Sequence, residues 1–169
     1  MNLEKDHLRG KVARPNRVEP AKAVSQTGDR IAQKRILIFE ADKALARLLA
    51  CESDFALCEA VNSSSDRVRQ TIVWHRPDLV LVNLAHCEKE ALRFIRDVRS
   101  LNRPIKVLAV SMRASQANQA LRAGADGYIH ASEDSKELAF AIRDVLSGHL
   151  YISETALCDK KISKRSHRL

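Results

Sequence analysis

The side chains in this sequence that could do chemistry stand just behind short apolar runs. Glu40, Ala41 and Asp42 follow RILIF (35 to 39), Asn83 follows DLVLV (78 to 82), Ser111 follows IKVLAV (105 to 110), and Ala131 and Ser132 follow GYIH (127 to 130). Brought to one edge, their carboxylate, amide and hydroxyl groups would form the polar lining of a site. A second set, His86, Cys87 and His130, offers softer donors suited to a transition metal or redox site. Loop residues of those types are more commonly just exposed or half-buried. There is no P-loop, no GxGxxG, no nucleophile elbow and no Cys/His/Asp set at a diagnostic spacing, so an enzyme is the reading with least support.

The elements that must position these residues alternate. After RILIF, residues 44 to 51 carry Leu45, Leu48 and Leu49 at helical spacing, and FALCEAV (55 to 61) reads as a second strand. A helix is expected over 64 to 75, with Val68 and Ile72 on one face. DLVLV is apolar on both faces, as a central parallel strand should be. Leu92, Ile95 and Val98 mark a helix over 89 to 100, and a fourth helix is expected near 114 to 123, stopped by Gly124. In the last helix Asp134 stands three residues before Glu137 in a capping-box-like start, Leu138, Ile142, Val145 and Leu146 form the stripe, and Gly148 ends it. Five βα units in about 120 residues specify a doubly wound α/β fold with a parallel five-stranded sheet. Such a sheet places its site at the carboxyl ends of its strands, where the residues named above fall.

RPDLVLVNL (76 to 84), VLAVSM (107 to 112) and above all LRAGADGYIHASEDSKELAFAIRDVLSGHLYIS (121 to 153) resemble the receiver domain of bacterial response regulators, most closely the NarL/LuxR type. The resemblance covers roughly 35 to 153 and implies a flavodoxin/CheY-like (βα)5 fold with strand order 2-1-3-4-5. It also implies a phospho-acceptor aspartate after the third strand, an acidic pair after the first that holds Mg²⁺, a hydroxyl after the fourth, a lysine after the fifth, and an aromatic switch on the fifth. Carried across, the acceptor falls on Asn83, the acidic pair on Glu40 and Ala41, the hydroxyl on Ser111, the lysine on Ala131 and the aromatic on Tyr128. Asn83 has no carboxylate oxygen to attack phosphorus, Ala41 no metal ligand and Ala131 no cation, while Asp42 comes one residue late. The resemblance therefore implies a degenerate receiver, a pseudo-receiver with no phosphorylation cycle, with no cofactor and with Mg²⁺ binding not expected. Asn83 reads either as a neutral strand cap or as a lock on one conformational state. Glu40 reads as a remnant or as the partner of a nearby Arg or Lys.

With the chemistry gone, what remains is surface. The resemblance implies a docking face built from the fourth helix, fifth strand and fifth helix, here Arg113, Gln116, Tyr128, Ser132, Lys136 and Phe140. Its expected partner is a protein: a kinase, a regulator or a second copy in a homodimer. Trp74 either anchors a partner or folds over the sheet edge, and Cys51 and Cys58 fit helix and strand packing.

Charge supplies the competing hypothesis. The chain of 169 residues has 29 Lys and Arg against 21 Asp and Glu, a net +8. Residues 1 to 34 hold eight basic against four acidic side chains and 156 to 169 five against one, so 35 to 155 is balanced at 16 each. The expected organisation is a basic, solvated arm over 1–34, a receiver-like domain over 35–155 and a basic tail over 156–169. The arms could give salt-dependent, sequence-independent contact with nucleic acid. Against this stand the lack of a helix-turn-helix or basic heptad helix and an aromatic content of only 4%. Four cysteines without a CxxC pair suit a reducing compartment, and no apolar run approaches the ~20 residues of a membrane span. A cytoplasmic location with no membrane contact is the expectation.

Overall fold

In a computed structural model, residues 33–40, 43–61, 65–101 and 103–157 are described. The elements run β1 (Lys34–Phe39), α1 (Lys43–Ala50), β2 (Phe55–Val61), α2 (Ser65–His75), β3 (Leu79–Asn83), α3 (Glu88–Ser100) and β4 (Lys106–Ser111). A 3-10 turn (Ala114–Gln116), α4 (Ala117–Ala123), β5 (Gly127–His130), α5 (Ser135–Leu146) and β6 (Tyr151–Ile152) follow. The strands form one sheet in the order β2-β1-β3-β4-β5-β6, parallel at every pairing. The expected order is present, but the sheet has six strands, not five, because Tyr151 and Ile152 pair beyond β5.

Alternation along the strands explains the two cores. Leu37, Phe39, Val80, Val82, Val107, Ala109 and Tyr128 face one side, where Ile72, Phe94, Ile95, Val98 and the alanines of α4 pack. There the Phe39 and Phe94 rings stack at 4.2 Å between centroids. Ile36, Ile38, Leu79, Leu81, Leu108, Val110 and Ile129 face the other side, against Leu49 of α1 and Leu138, Ile142 and Val145 of α5. All five residues of β3 are buried, as the apolar run requires of a strand covered on both faces.

Local signals set most element ends. Asp134 caps α5, its side chain accepting from Glu137 N at 2.8 Å, and Gly124 closes α4 in the left-handed region at φ 110°. Gly148 turns the chain at φ 97° into β6. Arg143 on α5 reaches back to the α1–β2 turn, pairing with Asp54 at 2.8 Å and Glu52 at 3.0 Å and lying over the Phe55 ring. The side-chain bond from Arg143 is the main cause that holds the Asp54 carboxyl below the usual range. Two expectations change here. Cys51 falls one residue past α1 and is exposed, so it does not pack a helix. The expected fourth helix divides into the 3-10 turn and a seven-residue α4.

Candidate functional site

The carboxyl ends of β1, β3, β4 and β5 gather Glu40, Asn83, Ser111 and His130 at one edge of the sheet. Asn83 is the last residue of β3 and is buried, and its Oδ1 accepts from Ala85 N at 2.9 Å. That is the cap geometry: the amide closes the turn leaving the strand. Glu40 is half-buried with left-handed backbone at φ 56°. Ala41 and Asp42 lie outside the described residues. Ala131 is exposed, its N donating to the Ser111 carbonyl at 2.9 Å, and its methyl puts no cation over the site.

Ser111 is engaged from within the chain. Its hydroxyl donates to Gln116 Oε1 and accepts from Arg113 N at 3.2 Å. Gln116 is buried, and its Nε2 donates to Glu88 Oε2 at 2.6 Å, in the first turn of α3. The relay Ser111–Gln116–Glu88 thus joins the end of β4 to the start of α3 across the mouth of the site. A carboxamide suits this position because it accepts from the hydroxyl with one end and donates to the carboxylate with the other.

Two side chains of β5 hold the segment that leaves β4. Tyr128 is fully buried, and its hydroxyl donates to the Arg113 carbonyl at 2.8 Å and lies 3.3 Å from that of Ser111. His130 sits 2.9 Å from the Met112 carbonyl through Nε2 and 2.7 Å from Ser132 Oγ through Nδ1. A carbonyl only accepts, so Nε2 carries a proton and donates to Met112. Three successive carbonyls, from 111 to 113, therefore face polar hydrogens from β5. The backbone N of His130 in turn donates to Ser153 Oγ at 3.0 Å, which ties β5 to the end of β6.

The expected docking face is corrected by this arrangement. Gln116 and Tyr128 are buried, while Arg113, Ser132, Lys136 and Phe140 are exposed, with Met112 exposed beside Arg113. Gln116 turns inward because the 3-10 turn rotates it toward Ser111, and Tyr128 because its strand position faces the α3–α4 core. His86, Cys87 and His130 do not converge, since no group of three or more His, Cys, Asp or Glu able to hold a metal occurs among the described residues. Trp74 is 77% exposed and does not fold over the sheet edge. Glu88 was not singled out by the sequence reading, nor was His130 as a structural tether. The only signal for the relay was an amide five residues after Ser111, within reach once a tight turn intervenes. No helix among the described residues is long and apolar enough to cross a membrane.

No family model matches the chain. It is similar to the transcriptional regulatory protein DesR of Bacillus subtilis (strain 168), 28% identical over 105 residues covering 62% of this chain and 52% of that protein. It is also similar to the Fimbriae Z protein of Escherichia coli (strain K12), 25% identical over 107 residues covering 60% of this chain and 51% of that protein. The chain spans about half the length of the curated relatives it matches. Among solved structures, a LuxR-family two-component response regulator from Aurantimonas sp. SI85-9A1 superposes with TM-score 0.66 at 21% identity, covering 78% of this chain and 99% of that one. The receiver domain of the response regulator NarL from Mycobacterium tuberculosis superposes with TM-score 0.60 at 22% identity, covering 69% and 98%. The fold is that of a response-regulator receiver domain.

Proposed function

We propose that this chain is a phosphorylation-independent pseudo-receiver in signal transduction or transcriptional regulation that works by docking a protein partner. The observation that carries the reading is the state of the site. Asn83 stands at the acceptor position with its oxygen committed to Ala85, and the Ser111 hydroxyl is already bonded to Gln116. Phosphoryl transfer depends on positioning and on neutralising charge by metal and cation, and each of those contributions is weakened here. Of the described donors only Glu40 is a carboxylate and Asn83 offers a neutral amide oxygen, which lowers the local negative charge that attracts Mg²⁺. Similarity to DesR and to the LuxR-family structures supports a signalling role.

The docking face in this reading is the exposed part of β4–α4, β5 and α5: Met112, Arg113, Ser132, Lys136 and Phe140. Met112 and Phe140 are 60% and 57% exposed, large apolar surface between charged groups. Incubating the chain with acetyl phosphate and Mg²⁺ tests the reading by intact mass, together with capture of candidate kinases and regulators. The expected outcome is no phosphoryl adduct and equal capture with and without acetyl phosphate. Capture that requires Asn83→Asp together with acetyl phosphate would overturn it.

The charge partition supports a second reading, weak nucleic-acid contact through the two basic ends. Residues 35 to 155 are balanced, so such contact would reside in the flanks. A gel-shift series in rising salt on the full chain, and on a variant with the Lys and Arg of 156 to 169 neutralised, is expected to show binding that weakens with both. Binding that survives both changes would overturn it.

A further inference from the structure

Phe140 stands exposed on the outward face of α5, its ring edge-on to Tyr151 of β6 at 6.1 Å. Four charged side chains lie three and four residues to either side of it: Lys136, Glu137, Arg143 and Asp144. In an α-helix a step of four residues overshoots a full turn by about 40° and a step of three falls about 60° short. Glu137 and Asp144 therefore share one flank of Phe140, and Lys136 and Arg143 share the other. The contacts agree with this division. On the β6 side Glu137 bonds the Tyr151 hydroxyl and Asp144 pairs with His149 at 2.8 Å. On the α1 side Arg143 reaches Asp54 and Glu52 in the α1–β2 turn. Burial raises the Tyr151 phenol above its ordinary range, and the carboxylates of Glu137, Glu133 and Asp144 push the same way, which gathers them around that ring. The face is split lengthwise, acidic toward β6 and basic toward α1, with an exposed aromatic ring on the seam.

Such a face complements a copy of itself in one orientation. A two-fold axis running along the helices sets the acidic flank of one α5 against the basic flank of the other. Lys136 then lies beside Glu137 of the second copy, and Arg143 beside Asp144 of the second copy. Sequence neighbours differ in height by only about 1.5 Å along the helix, so these pairs stand nearly level. The axis repeats each pair, and Phe140 meets Phe140 between them. An axis across the helices, which makes them antiparallel, instead sets acidic on acidic and basic on basic, and the two copies repel. Arginine carries five donors and a carboxylate about four lone-pair sites, so the bonds Arg143, Glu137 and Asp144 make within the chain leave capacity on each. Lys136 is exposed and forms no ion pair among the described residues.

We propose that the occupant of the α5 face is a second copy of this chain, docked with the two helices parallel and Phe140 against Phe140. The proposal rests on the reading of that face as a protein-docking surface and names its partner. Residue meets its own counterpart at the axis, as an isologous interface requires. One helix face buries less than the ~800 Å² per partner of a standard interface, so the association is weak and concentration-dependent, with the charges setting orientation more than affinity.

Sedimentation of the full chain over a wide concentration range tests this with native protein, Lys136→Glu, Glu137→Lys and the two changes together. The native chain should show a monomer–dimer equilibrium. Each single change should raise the dissociation constant ~10-fold, because the axis counts every substitution twice, and the double exchange should recover most of the loss by restoring unlike pairs. Lys136→Glu lowers the net charge of +8 by two, so a non-specific charge effect would strengthen association instead. Carbodiimide treatment of mixed isotope-labelled and unlabelled chains should give inter-chain amide links from Lys136 to Glu137; inter-chain links from Lys136 to Asp144 in their place would overturn the parallel docking. A chain that stays monomeric at every concentration, or single and double variants that associate alike, would overturn the dimer. Phe140→Asp then separates the two readings: capture of regulators lost with it leaves protein docking at this face standing, and capture unchanged overturns both.

Discussion

Replacing Gln116 by Glu exchanges the carboxamide that donates to Glu88 for a second carboxylate. The native Nε2···Oε2 distance is 2.6 Å and Gln116 is buried, so the two carboxylates would start in contact. Relaxed to 4 Å at an effective dielectric of 20, the repulsion is ~4 kcal/mol. A lost hydrogen bond to a charged group is worth a further ~1.5–3 kcal/mol. Glu88 is half-buried and can swing toward solvent, which screens much of that sum. The expected net cost is ~2–3 kcal/mol, a large share of the ~5–15 kcal/mol that holds a domain of this size. The geometry makes a sharper demand when Glu88→Gln is added. The new carboxylate at position 116 still accepts from Ser111, and the new amide at position 88 donates back across the same gap. Glu88→Gln and Gln116→Glu together should therefore recover most of the loss, with a coupling of ~2 kcal/mol in a urea double-mutant cycle. Additivity within ~0.5 kcal/mol would refute the relay as the link between β4 and α3.

Tyr128→Phe removes the donor to the Arg113 carbonyl and should cost ~1–2 kcal/mol, with faster hydrogen exchange confined to residues 111 to 117. Gly127→Ala would place a Cβ 2.8 Å from Val145 Cγ2 and 3.1 Å from the Tyr151 carbonyl, so β6 should loosen and stability fall by ~1–3 kcal/mol in denaturant melts. Arg143→Ala should remove a pH-dependent contribution. The folded Asp54 carboxyl is held below its unfolded value, so the ion pair stabilises above the ordinary carboxylate range and fades as pH falls through the lowered value. Melting curves of native and variant chains should therefore converge in acid. Tyr151→Phe gives the opposite sign: the folded phenol is raised, so the native chain should lose stability relative to the variant only as pH climbs past the ordinary phenol range.

What the sequence discloses of this fold follows from periodicity. Five strands and five helices rest on runs such as DLVLV and the Leu138, Ile142, Val145 stripe, which stay buried whatever surrounds them. Tyr151 and Ile152 form a strand of only two residues, too short for any alternation to register, and it exists because the Gly148 turn lays them beside β5. At the site, Asn83, Ala41 and Ala131 are legible because each differs in chemical group from the pattern that the resemblance implies. The relay through Gln116 is not, since a polar residue near a helix start is ordinarily solvated, and only the 3-10 turn carries it into the core beside Ser111. For Tyr128 and Gln116 the same holds: helical or strand spacing gives a face, but not which face the neighbouring loop closes.

The central claim is that the site behind β3 and β4 is closed by the chain's own side chains and does not respond to a phosphoryl group. Hydrogen exchange of the native chain, measured with and without Mg²⁺ and beryllofluoride, tests it most directly. The account predicts superimposable exchange at residues 83 to 88, 111 to 117 and 128 to 132. Slowed exchange at Ser111 to Ala117 on adding beryllofluoride would contradict it.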